Sequence, residues 1–115
     1  MANKITGNRG EEIATGYLKK IGYTIIDRNV HFSRVCELDI VAVDKNKTLV
    51  AVEVKTRTTE KLGSPLEAIT PQKYKNIRTG LYNYLNEHPE YKKFRIDVVA
   101  IVLEPEITIK HLKNI

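Results

Sequence analysis

Asp39 and the run Glu53-Val54-Lys55 are the residues of this chain best placed to do chemistry. Each lies inside an apolar stretch: Glu37-Leu38-Asp39-Ile40-Val41-Ala42 and, after a short polar break, Val52-Glu53-Val54-Lys55-Thr56-Arg57. A carboxylate within a buried strand is costly to desolvate unless something binds it. Two carboxylates, helped by a backbone carbonyl such as that of Val54, suit a hard cation, Mg²⁺ or Mn²⁺, rather than Zn²⁺. Lys55, two residues beyond Glu53 on the same strand face, is placed to hold an attacking water and to offset charge on a pentavalent phosphate. The bland alternative is an ion pair of Asp39 or Glu53 with Lys55 or Arg57, bracing a hairpin. Such cross-strand pairs contribute about 0.2–1 kcal/mol. Spacing alone leaves the two readings open.

The elements that must position these groups follow from periodicity. Ile13, Ala14, Tyr17, Leu18 and Ile21 recur at helical spacing, predicting a helix over 8–21 that Gly22 stops. On its wheel Glu12 falls in water, and Glu11 falls at the border of the apolar stripe, looking into the space between helix and sheet. Strands are predicted over 23–31, 37–44 and 48–57, with Asp44-Lys45-Asn46-Lys47 as a hairpin turn. That turn puts Asp39 opposite Val52 to Glu53, so the two carboxylates can converge. In the third strand Val50, Val52 and Val54 point to one face, and Ala51, Glu53, Lys55 and Arg57 to the other. Glu11 is expected from a helix packed over the charged face.

Residues 58–64 read as a polar loop. Pro65 and Pro71 each open a helical turn, with Thr70 placed to cap the second. The main helix runs to about Glu87, with Tyr74, Ile77, Leu81, Tyr84 and Leu85 as its apolar stripe. Residues 94–103 form a strongly apolar strand that Pro105 breaks, and Ile107 and Ile109 alternate in a short last strand. The order α-β-β-β-α-β-β predicts one α/β domain over 1–115, a mixed sheet flanked by helices.

The chain has 115 residues and a formal net charge of +5, with 42% hydrophobic and 29% charged residues, which excludes a disordered tail. No apolar run approaches the ~20 residues of a membrane-spanning helix, so no membrane partner is expected. Met1-Ala2-Asn3-Lys4 leads into polar sequence without a signal core, and the lone Cys36 cannot form an internal disulfide. A cytoplasmic location is therefore expected. Between Lys55 and Arg78 six cations (Lys55, Arg57, Lys61, Lys73, Lys75 and Arg78) stand against Glu60 and Glu67. Nucleic acid is the natural partner of such a patch. His31, His88 and His111 are scattered and read as ordinary surface or packing histidines.

The blocks Gly10-Glu11-x-x-Ala14, Tyr17-Leu18, Gly22-Tyr23, Glu37-Leu38-Asp39-Ile40-Val41-Ala42, Val52-Glu53-Val54-Lys55-Thr56-Arg57 and Phe94-Arg95-Ile96-Asp97-Val98-Val99 resemble the YraN-like family of small bacterial proteins. Asp39 with Glu53-Val54-Lys55 also resembles the PD-(D/E)XK nuclease superfamily, and the YraN-like proteins are considered distant relatives of archaeal Holliday junction resolvases within it. The resemblance implies a restriction-endonuclease-like core. It implies Asp39 and Glu53 as metal ligands, Lys55 as the catalytic lysine and Glu11 as a helical acidic residue of the site. Glu37 matches a further acidic position, in an outer-shell or ion-pair role. Gln72 and Lys73 are candidates to point from the second helix toward the site. Two departures stand out: Cys36 replaces the family's usual Gly, and Leu38 stands where the superfamily name has Pro.

Three functions compete on these residues. The first is a metal-dependent nuclease acting on DNA, with branched or flap structures among its substrates. Arg57, Lys61, Lys73 and Lys75 would then hold the backbone, and a homodimer would suit a two-stranded or junction substrate. The second is a nucleic-acid-binding module without chemistry of its own, acting with a partner. The third is an interaction protein whose charges are only ion pairs.

Overall fold

The computed structural model describes residues 4–34, 36–59, 67 and 69–115. Among them the elements follow the expected order: α1 (Lys4–Lys20), β1 (Thr24–His31), β2 (Glu37–Val43), β3 (Leu49–Arg57), α2 (Pro71–Glu87), β4 (Phe94–Val102) and β5 (Thr108–Leu112). The predicted turn at Pro65 and the candidate Lys61 lie outside the described residues. The last strand runs farther toward the C-terminus than the Ile107/Ile109 alternation suggests.

The sheet has the order β1-β2-β3-β4-β5. The first three strands meander antiparallel, β3 and β4 pair in parallel, and β5 returns antiparallel to β4. A parallel pair needs a crossover, and α2 supplies it. The β2–β3 turn forms as its residues dictate. Asp44 Oδ1 accepts the N–H groups of Asn46 and Thr48 at 2.8 and 2.9 Å, which pins the hairpin register.

The helices cover opposite faces. Ala14 and Leu18 of α1 bury against Ile40, Ala42, Val50, Val52, Val99 and Ile101. Ile77, Leu81 and Tyr84 of α2 bury against Leu38, Val41, Leu49, Ala51 and Ile96. Glycine does two distinct jobs at α1. Gly22, at φ 98°, closes the helix with Tyr23 N–H donating to Leu18 C=O at 2.9 Å and Gly22 N–H to Lys19 C=O at 3.1 Å. Gly10 lets α1 press onto β3: a Cβ there would stand 1.8 Å from Thr56 Oγ1.

Opposite the site, the α1 face holds a buried polar cluster. Asp97, fully buried, accepts from Arg95 Nε at 2.9 Å and from the N–H of Asn114 at 2.9 Å, and lies 2.8 Å from His111 Nε2. Tyr17 Oη contacts His111 Nδ1 at 3.0 Å, and Arg95 continues to Asp44 at 2.6 Å and to Tyr23 Oη. His111 is thus a packing histidine, as expected. Every member has a partner, the condition for burying such groups.

Candidate active site

The site lies where β2 and β3 part. Registered pairs between them run from Val43↔Leu49 to Ile40↔Val52 and stop there, though β3 continues to Arg57 and β2 begins at Glu37. Asp39 and Glu53 are the next position in that register. Here β2 also breaks its own alternation. Leu38 packs under α2, while Ile40 joins the α1-side core, although a regular strand would put both on one face. The turn about the strand axis sends Asp39 into the gap. Its Oδ2 accepts the N–H of Val54 at 2.9 Å, so a carboxylate satisfies β3 where the β2 ladder has ended.

Asp39 and Glu53 do converge. The Asp39 charge makes Glu53 harder to ionise, whereas Glu53 acts on Asp39 in the opposite sense, favouring its charged form. Glu53 is only 4% exposed. Burial first, and the Asp39 charge second, push its pKa up to about 7, against the pull of Lys73 and Lys55. Asp39 is raised as well, by burial above all, with the Val54 N–H and the Glu53 hydrogen bond working the other way. Two carboxylates forced together in a dry place, each above its ordinary range, is the electrostatic pattern of a functional site.

Two ammonium groups flank Glu53. Lys73 Nζ lies 3.2 Å from Oε1 and Lys55 Nζ 3.8 Å from the same oxygen. Lys73 is aimed by its helix cap: Thr70 Oγ1 accepts the Lys73 N–H at 3.1 Å, fixing the first turn of α2 over the charged face. Burial works to lower the Lys73 pKa, but the Glu53 charge and hydrogen bond outweigh it and raise the value overall. The ion-pair reading of the sequence is therefore realised in part, with Lys73 as the nearer partner and Lys55 second.

Other expected residues divide. Gln72 does not turn to the site; its Nε2 donates to Asn76 Oδ1 at 3.0 Å along the exposed face of α2. One position separates it from Lys73, and a helix turns about 100° per residue. Glu37 forms a cross-strand pair with His31 at 3.2 Å, its register partner, and reaches Asp39 and Lys73 through its charge alone. Arg57 ends β3 half-buried, and Lys75 is exposed on α2.

The placement of Glu11 needs correction. The sequence reading set its helix over the charged face of β3, but α1 packs on the valine face and α2 covers the charged one. The reason is burial: the α1 stripe of Ala14 and Leu18 finds its apolar partner in Val50, Val52 and Val54. Glu11 still feels Asp39: burial first, and the Asp39 charge second, raise its pKa. Its carboxylate leans toward β1, with Arg28 Nη2 3.7 Å away, and Asn29 and Arg28 work to lower its pKa. Arg28 is bound also to Glu12 at 2.6 Å, which keeps Glu12 at the surface as expected. Of the two candidates on the second helix, Lys73 is the one that reaches Glu53; the Arg28 clamp has no local sequence signal, since it joins residues far apart in the chain.

As a cation site, the donor set is two hard carboxylates beside the β3 backbone. Among the described residues no group of three or more His, Cys, Asp or Glu side chains is disposed to hold a metal. Two carboxylates suit Mg²⁺ or Mn²⁺, which retain waters and complete their shell with substrate phosphate oxygens.

With this geometry in view, comparison with known proteins supplies the lineage. The sequence profile of the Uncharacterised protein family UPF0102 matches residues 10–101. The chain belongs to the UPF0102 family. This bears out the resemblance to the YraN-like proteins, the same family. A UPF0102 protein of Syntrophomonas wolfei is 42% identical over 114 residues, covering 97% of each chain. One from Geobacter sulfurreducens is 45% identical over 115 residues, covering 97% of this chain and 88% of its own. One from Prosthecochloris aestuarii is 48% identical over 97 residues, covering 84% of this chain and 75% of its own. The UPF0102 likeness spans α1 through β4 and so includes Glu11, Asp39, Glu53, Lys55 and Lys73.

Proposed function

We propose that this UPF0102 protein is a metal-dependent nuclease that hydrolyses phosphodiester bonds in DNA, with flap and branched forms among its substrates. The observation that carries the reading is the meeting of Asp39 and Glu53, two pKa-raised carboxyls, with two lysines at the point where β2 and β3 part. An isolated structural role gives no reason to crowd like charges in a dry gap. Asp39 and Glu53 would hold Mg²⁺ or Mn²⁺, with the carbonyl of Val54 alongside. When bound, that cation supplies Lewis-acid polarisation of the phosphoryl oxygen and of the attacking water. Lys55 orients that water and offsets the charge that develops on the phosphoryl group. Were Glu53 to hold that cation, Lys73, now 3.2 Å from the carboxylate, would be free to pair with the phosphate instead. Arg57 and Lys75 hold flanking phosphates, contacts that position the strand without reading its bases.

A second reading, binding without turnover, is favoured by one observation: Lys73 at 3.2 Å already neutralises Glu53 without any cation. The test is purified protein with Mn²⁺ or Mg²⁺ against labelled linear, flap and four-way-junction DNA. The nuclease reading expects cleavage that Lys55→Ala removes. Salt-dependent binding with no cleavage under either ion leaves the second reading standing and removes the first.

A further inference from the structure

Phe94 and Tyr82 are large aromatic rings left nearly half exposed, at 46% and 42%. They meet edge to face, with centroids 5.9 Å apart and planes at 89°. Arg78, one turn back on α2, lies over the Tyr82 ring at 5.5 Å and the Tyr74 ring at 5.8 Å, and its Nη2 donates to Tyr82 Oη at 2.8 Å. Together with Leu81, Ile96 and Asn114 they line a pocket of about 340 Å³. The core does not require these rings at the surface. A guanidinium near two tyrosine rings and beside an exposed phenyl ring is a stacking platform with a cation built in.

Its position ties it to the candidate site. Phe94 lies on the α2 face of the sheet, paired with Leu49, as Val98 is paired with Glu53. Four strand residues separate Phe94 from the Glu53 level, about 13 Å. Along α2, Lys73 at Glu53 and Tyr82 at Phe94 are nine residues apart, again about 13 Å. Lys75 and Arg78 share the Tyr82 side of α2, half a turn from Lys73, and α2 carries no acidic residue before Glu87.

We propose that this platform binds an unpaired DNA strand, with a base stacked on the Phe94 ring that Tyr82 braces edge-on, and a phosphate on Arg78, about 13 Å along the α2 axis from Lys73. The inference rests on the nucleic-acid part of the proposed function and narrows the substrate to DNA with a single-stranded segment. A ring pair of this kind takes any base, because every base has a π face. Duplex DNA keeps its bases stacked inside and cannot use it.

The test is fluorescence anisotropy of a labelled 12-nucleotide oligothymidine and a labelled duplex of equal length, in EDTA so that no hydrolysis runs. Wild type should bind the single strand more tightly than the duplex. Phe94→Leu and Tyr82→Leu should each weaken single-strand binding about tenfold and collapse that preference, with melting temperatures confirming that both fold. Arg78→Gln should reduce the salt slope for the single strand by about 0.7, the loss of one phosphate contact. Equal single-strand affinity in wild type and the Phe94→Leu/Tyr82→Leu double variant would overturn the proposal. So would a wild-type dimer by light scattering that these variants dissociate, since the patch would then be a subunit contact. Because binding is read without divalent ions, a wild type that never cleaves counts against the nuclease reading alone.

Discussion

Lys73 Nζ, reaching from α2, stands 3.2 Å from Glu53 Oε1 on β3, nearer than Lys55 Nζ on the same strand as Glu53 at 3.8 Å. Glu53 is thus held between a lysine of its own strand and one delivered by the crossover helix. Lys73→Met should push the Glu53 titration above its value of about 7, because the largest opposing charge is gone and burial and Asp39 remain. Carbon-detected NMR of the glutamate carboxyls across pH would show it; an unmoved Glu53 would mean that Lys73 does not reach the site.

The same two carboxyls set a pH dependence in metal-free protein. Glu53 moves from an ordinary 4.5 to about 7 on folding, and Asp39 moves up also. A carboxyl with a raised folded pKa binds its proton more tightly in the native state. Its ionisation therefore costs stability, a cost absent below pH 4.5 and complete above about pH 7. Asp97 and Asp44 run the other way. Burial is the largest influence on each, yet it is outweighed: at Asp97 by His111 and Arg95, and at Asp44 by the Thr48 N–H and Arg95. Their lowered values protect the fold until pH falls through them, below 3.8. Urea unfolding should show stability falling from pH 5 to pH 8, and Glu53→Gln should flatten that fall. A wild-type curve that rises over this range would contradict the shift.

Asp97 offers a test of structure separate from chemistry. It is fully buried and held by Arg95, His111 and the Asn114 N–H. Asp97→Ala should destabilise by about 1–3 kcal/mol, because His111 and the Asn114 N–H lose their buried partner while Arg95 keeps Asp44. Denaturant titration measures the loss. A cost under 1 kcal/mol would mean that the network is a passenger.

Gly10→Ala should cost about 1–3 kcal/mol, since the new methyl collides with Thr56 and must push α1 off β3. Thr56→Ala in the same protein should return part of it, by removing the atoms at 1.8 and 3.0 Å. Thermal unfolding of the two single variants and the double variant checks this. Additive losses would rule out the contact.

Residues with local causes were legible in the sequence. The alternation of Val50, Val52 and Val54 against Ala51, Glu53 and Lys55 marked a strand with one sealed face. Asp44 marked a turn whose register brings Asp39 to Glu53, and Thr70 marked the start of α2. The element order and mixed sheet followed. What escaped was long-range. Nothing near Leu38 shows that β2 rotates at Asp39, so that Leu38 and Ile40 serve different cores. Which helix takes which face depends on the whole apolar inventory, and this misplaced Glu11. Arg28 on Glu11 and His111 on Asp97 join distant segments, so no spacing rule reports them, and Lys73 at Glu53 was expected from the family resemblance alone.

A cation between Asp39 and Glu53 should also stabilise the fold by mass action, so Mn²⁺ should raise the melting temperature of wild type and leave Asp39→Asn unmoved. Scanning calorimetry with and without the ion reads both. Equal rises in the two proteins would place the ion elsewhere.

The most direct measurement is anomalous diffraction at the manganese edge from crystals soaked in Mn²⁺. A peak within coordination distance of both the Asp39 and Glu53 carboxylates, with Lys73 withdrawn from Glu53, is the predicted result. No peak there, with Lys73 still seated on Glu53, would contradict the metal-dependent site on which the nuclease reading stands.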